Sequence, residues 1–149
     1  MKIEHAKRSG EHDRRELMPW AADCAEHVLA HFEVNCPGDD RPRKALEAGR
    51  AWACGEIACG KARAAAVAAH SAARATDHPA ARAAARAAGH AAATAHMAGH
   101  ARQAAAYAVK AASAAFPTDA GAAAEAERDW QDRLLPEHLR LLAYPLSKH

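Results

Sequence analysis

The sequence predicts an all-α fold, and three observations carry that reading. Roughly a third of the 149 residues are Ala, the best helix former because closing the helix costs it no side-chain entropy. No stretch alternates apolar and polar residues between turn signals as a strand would. Bulky and polar residues recur instead at spacings of three and four, which is what one helix face requires. The expected architecture is a compact single-domain bundle of about six to seven Ala-rich helices. It spans residues 13–145 behind a polar N-terminal arm, residues 1–12. A chain of this length buries roughly 70% of its unfolded surface and folds alone. No fixed repeat period supports a helical solenoid.

The elements follow in order. Asp13 is placed to cap a short turn through Met18. Pro19 then fits the first turn of a helix running to Glu33, with Trp20, Cys24, Val28 and Phe32 spaced four apart. Asn35 to Asp40 form a dense turn cluster. Asp39 or Asp40 caps the next helix, which has Pro42 in its first turn and Ala45, Leu46, Gly49, Trp52 and Ala53 on its apolar side. Gly55 and Gly60 bracket a weak point before a helix from about Ile57 to Thr76. Pro79 opens another helix after Asp77-His78. The helical pattern persists from Ala80 to Phe116, about 54 Å if straight, whereas a globule of this length is only about 38 Å across. A break is therefore expected, with Met97-Ala98-Gly99 the best place for it. Two shorter helices follow, about Ala122 to Leu134 and Pro136 to Ala143, the last anchored by Leu135, Leu139 and Leu142.

Charge is distributed unevenly along the chain. The formal net charge is +2, but residues 60–115 hold seven cations (Lys61, Arg63, Arg74, Arg82, Arg86, Arg102 and Lys110) against one acid, Asp77. The two flanks are each −2. Either acidic outer helices neutralise a basic central segment, or that segment offers a basic face to an anionic partner. The charged N-terminus lacks an apolar h-region, and no apolar run approaches the ~20 residues that span a bilayer. A cytoplasmic protein with reduced Cys24, Cys36, Cys54 and Cys59 is expected. Nucleic acid is disfavoured as a partner, because the basic segment has no interleaved aromatics for base stacking.

Eleven histidines are the main chemical feature. His96 and His100 stand four apart and share a face if the helix is continuous there. Zinc needs four ligands, however, and no acid lies near either residue. There is no H-E-x-x-H and no C-x-x-C, so no cofactor or metal is assigned. A zinc site drawn from the four cysteines and a histidine is the minor alternative. The stripe His96, His100, Gln103, Tyr107, Lys110 steps four, three, four, three along one face. It either meets solvent or lines a pocket, with Arg82 and Arg86 one turn apart nearby. Asp39-Asp40-Arg41-Pro42-Arg43 is a helix start whose two arginines suit bidentate contacts to carboxylates, in a partner or within the chain. No serine or cysteine sits in a nucleophile motif, and there is no P-loop or dinucleotide fingerprint. No catalytic residue is assigned.

Several segments together resemble a family of bacterial immunity proteins from polymorphic toxin systems. They are Trp20-Ala21-Ala22-Asp23-Cys24-Ala25-Glu26, Asp40-Arg41-Pro42-Arg43, Ala51-Trp52 and Ala68-Ala69-His70-Ser71-Ala72-Ala73. Thr94-Ala95-His96 with His100, Tyr107-Ala108 with Lys110, and Trp130-Gln131 complete the pattern. The resemblance spans about residues 16–142 and implies an all-α cytoplasmic protein that binds and neutralises a cognate toxin encoded beside it. Asp23, Arg41, Arg43, His70, Arg86, His96, His100 and Tyr107 are the expected binding residues. The competing expectation is a small-ligand or metal-binding helical domain built on the His-rich segment, and an enzyme using titrating histidines is a third.

Overall fold

The computed structural model describes residues 2–146, with side chains from residue 10 onward. Among the described residues every regular element is helical. They are α1 (Lys2–Val28), α2 (Ala30–Asn35), α3 (Arg41–Ala53), α4 (Cys59–Arg74), α5 (Pro79–Ala93), α6 (Gly99–Ala115), α7 (Ala120–Leu134) and α8 (Arg140–Ala143). Short 3-10 turns at Pro117–Asp119 and Glu137–Leu139 lead into α7 and α8. No described helix is long and apolar enough to cross a membrane.

The centre of the bundle is α5, which packs against α1, α2, α3, α4 and α6. Alanine composition explains how one helix can touch five others. Eleven of its fifteen residues are buried, ten of them Ala and the eleventh Gly89. Small side chains let helix backbones approach closely, so dispersion contacts replace the bulk a larger side chain would supply. Bulky core residues concentrate on the rim instead. Trp20, Cys24, Val28 and Phe32 line the inner face of α1 and α2, as their four-residue spacing predicts, and Leu17 joins them one three-residue step earlier. Trp52 is 1% exposed and packs in a separate cluster with Met18, Ala62 and Ala95. Gly49 makes room there, because a Cβ at that position would stand 2.9 Å from the Met18 sulfur.

Two boundaries differ from the sequence expectation. α1 runs on from Lys2 through Pro19, so Asp13 starts no separate turn and residues 2–12 are helical. Proline inside a helix removes one ladder hydrogen bond. Here the flanking Met18 and Trp20 are both buried, and their packing holds the helix continuous across that gap. The helix expected to reach Glu33 breaks at Leu29, splitting off α2. The break in the long central segment falls at Thr94–Ala98, overlapping the Met97-Ala98-Gly99 position expected from length. Gly55, at φ 78°, ends α3 in the left-handed region that glycine enters without steric cost.

α7 packs on α6 and is tied to α1 by side chains. The indole N–H of Trp20 donates to the Gln131 carbonyl at 2.9 Å, and Gln131, 2% exposed, donates its amide to the Ala105 carbonyl at 2.9 Å. Arg14 donates to the Ala95 carbonyl at 3.1 Å, fastening α1 to the junction between α5 and α6. Arg15 donates to the Trp52 carbonyl while its guanidinium lies 4.5 Å above the Trp52 ring.

Candidate functional site

Three adjacent helices contribute to one polar seam. α4 supplies His70, α5 supplies Arg86 and His90 one turn apart, and α6 supplies His100 and Tyr107. Four-residue spacing on α5 puts Arg86 and His90 on one face. Gly89 decides how near the seam comes to the helix: a Cβ there would stand 2.7 Å from His70 Cε1 and Nε2. Any side chain at this position would require the His70 ring to shift.

The groups are connected in a chain. Arg86 donates to His70 Nδ1 at 2.9 Å. The His70 ring meets His90 edge-on, centroids 4.9 Å apart. His90 and His100 face each other through their Nδ1 atoms at 3.0 Å, so one must donate and the other accept. His90 also stacks nearly parallel on Tyr107, centroids 5.2 Å apart. Burial pushes His90 down to about 4, assisted by His70, His100 and Arg86. Burial, then Arg86, lowers His70 as well. Both imidazoles are therefore neutral at neutral pH, and His70 accepts from the guanidinium instead of repelling it.

Beside the seam, between α5 and α6, lies a cavity of about 270 Å³ lined by Asp77, Pro79, Arg82, Ala83, Arg86, Tyr107 and Lys110. Among the described residues no cation of α4, α5 or α6 forms an ion pair. The ion pairs among the described residues lie on the flanks, at Arg15, Arg41, Arg43, Lys44, Arg50 and Arg140 and at three histidines. Among the described residues the acidic outer helices therefore form no direct ion pair with the basic segment.

The expected site residues divide into separate groups. His70, Arg86, His100 and Tyr107 come together. His96 does not join them, because the break at Thr94–Ala98 takes it off the face of α6. Its Nδ1 lies 2.8 Å from Cys59 Sγ, and its Nε2 is buried without a partner among the described residues. Gln103, part of the expected stripe, is exposed. Asp23 binds Arg50 at 3.2 Å. Arg41 is bonded to Asp39 and Arg43 bidentately to Glu33 at 2.6 and 2.8 Å. The carboxylates of Asp39 and Glu33 are held below their ordinary range by these hydrogen bonds. Both arginines of the Asp-Arg-Pro-Arg segment therefore clamp this corner to itself.

Sequence reading missed His90, the most perturbed histidine. Its signal was the four-residue step from Arg86. It also missed a clasp between α1 and α7, where His27 stacks on Trp130 with centroids 3.6 Å apart and planes 9° from parallel. His27 Nδ1 lies 2.7 Å from Oε2 of Glu127, which is 7% exposed. Asp23, Glu26, His27, Trp130 and Leu134 line an open cleft of about 440 Å³ there. Those partners lie 100 residues apart, beyond any local spacing rule. Among the described residues no three His, Cys, Asp or Glu side chains are grouped to hold a metal ion.

A family model described as "Imm-5 like putative immunity protein" matches residues 7–138 of the chain. No curated protein and no solved structure matches it.

Proposed function

The chain belongs to the Imm-5-like immunity protein family, and we propose that it binds a cognate bacterial toxin domain in the cytoplasm. It neutralises the toxin by covering the toxin's working surface, with no catalysis of its own. The observation that carries this reading is the group Arg82, Arg86 and Lys110 around the α5–α6 cavity, none of which forms an ion pair among the described residues. Unpaired cations on one face raise the positive potential there and speed encounter with an acidic surface. The bound toxin region is accordingly acidic where it meets Arg82, Arg86 and Lys110, with Tyr107, His70 and His100 forming the polar floor.

The flank clamps support the same assignment by elimination. Arg41, Arg43 and Asp23 already have intramolecular partners, so engaging a toxin there requires breaking bonds first.

The test is co-expression of a tagged copy with the product of the adjacent gene. A stoichiometric complex, and rescue of growth when that product is toxic, are the expected results. Failure to co-purify, with growth still arrested, overturns the proposal.

A further inference from the structure

We propose that the cavity between α5 and α6 is a seat for a small oxyanion, a phosphate or a carboxylate, in the free protein. This goes beyond toxin binding, since the seat requires no toxin.

Its cations are anchored from behind and open in front. Arg82 spends its Nε on the Ala73 carbonyl at 3.1 Å, and Arg86 spends one terminal nitrogen on His70. The remaining N–H groups of both guanidinium forks have no partner among the described residues. Lys110 Nζ lies 5.8 Å from the centre of the Tyr107 ring, and the Tyr107 hydroxyl also has no protein partner among the described residues. Each guanidinium is tethered through one nitrogen and keeps N–H groups free for the paired contacts that recognise a planar or tetrahedral oxyanion.

Charge points the same way. Arg82 and Arg86 stand four apart on α5, a spacing at which like charges repel. Lys110 adds a third positive charge, and among the described residues Asp77 is the only acid lining the cavity. The excess of two positive charges matches a dianion. Neutral His70 beneath Arg86 fixes the guanidinium without cancelling its charge. The volume, about 270 Å³, equals roughly nine waters at their share of liquid volume, so an anion fits with part of its hydration shell. Ala83 and Pro79 in the wall keep that space clear.

The experiment titrates the full chain with inorganic phosphate, and separately with acetate, against chloride at matched ionic strength. Calorimetry and backbone amide NMR are the readouts. Saturable binding is expected, with shifts centred on Ala80–Arg86 and Tyr107–Lys110. The double variant R82Q/K110Q, both sites being exposed, should fold normally by circular dichroism and bind at least about tenfold more weakly. Removing the same charge elsewhere, in K44Q/R133Q, should leave affinity unchanged. Saturation by phosphate alone assigns the seat to phosphate groups, and saturation by acetate alone assigns it to carboxylates. The seat is ruled out if neither anion exceeds chloride, or if the folded R82Q/K110Q variant binds as tightly as the parent. Neither result bears on toxin co-purification, so the two proposals fail independently.

Discussion

The imidazole of His70 on α4 lies against the bare α-carbon of Gly89 on α5, where an added methyl would stand 2.7 Å from two ring atoms. In an isolated helix, Ala in place of Gly gains about 1 kcal/mol. Here the methyl must push the ring off Arg86 and away from His90. Gly89→Ala is therefore expected to destabilise the protein by about 1–3 kcal/mol, the usual cost of overpacking. Urea denaturation with an unchanged m-value measures it. A more stable variant would show that the ring moves aside freely.

Acid should loosen the same seam. His90 is held down to about 4, whereas unfolded histidine titrates near 6.5. A base whose folded value is depressed contributes stability above its unfolded value and loses it as pH falls. The loss runs from about pH 6.5 towards 4, with a slope of at most about 1.4 kcal/mol per unit for one proton. His70 and His96 are lowered too and act in the same direction. His90→Asn should flatten the pH dependence of the melting temperature across this window.

Arg43 and Arg86 separate clamp from contact. Arg43 is paired with Glu33 on the surface, so Arg43→Gln should cost no more than about 1 kcal/mol of stability and leave toxin binding intact. Arg86→Gln removes a cation from the proposed contact face and should weaken the complex by tenfold or more. Equal effects on affinity would show that the contact face lies elsewhere.

The attachment of α7 depends on a buried amide. Gln131 reaches the Ala105 carbonyl from a position only 2% exposed. Gln131→Ala should cost about 1–3 kcal/mol. Hydrogen exchange should show α7 opening before α5, because fewer helices pack on it.

The four thiols should react in order of exposure. Cys54 is exposed, Cys36 and Cys59 are half-buried, and Cys24 lies in the core, where burial pushes its thiol far up. Alkylation of the native protein is expected to label Cys54 first and spare Cys24 until denaturant is added. Mass spectrometry of the digested protein reads the order, and early labelling of Cys24 would mean that α1 opens readily.

Much of the fold was legible in local sequence. Alanine content and three- and four-residue spacing dictated helices, and the mismatch between a 54 Å helix and a 38 Å globule required a break near Gly99. Segregation of cations into residues 60–115 was equally plain, because charge can be counted without knowing contacts. Spacing also picked out Tyr107 and His100. What spacing could not supply was the partner across the gap. Whether Arg43 meets a toxin or Glu33 depends on how α3 approaches α2, and His96 left the stripe once the chain broke at Thr94–Ala98. Pro19 misled for a related reason, since tertiary packing of its neighbours outweighs one lost hydrogen bond. The sequence by itself determined the helices and their charge, because those follow from each residue and its near neighbours. Only the tertiary structure decided which histidines are neutral, which arginines are already paired and where a cavity remains, because burial and ion pairing are set by helices brought together from distant parts of the chain.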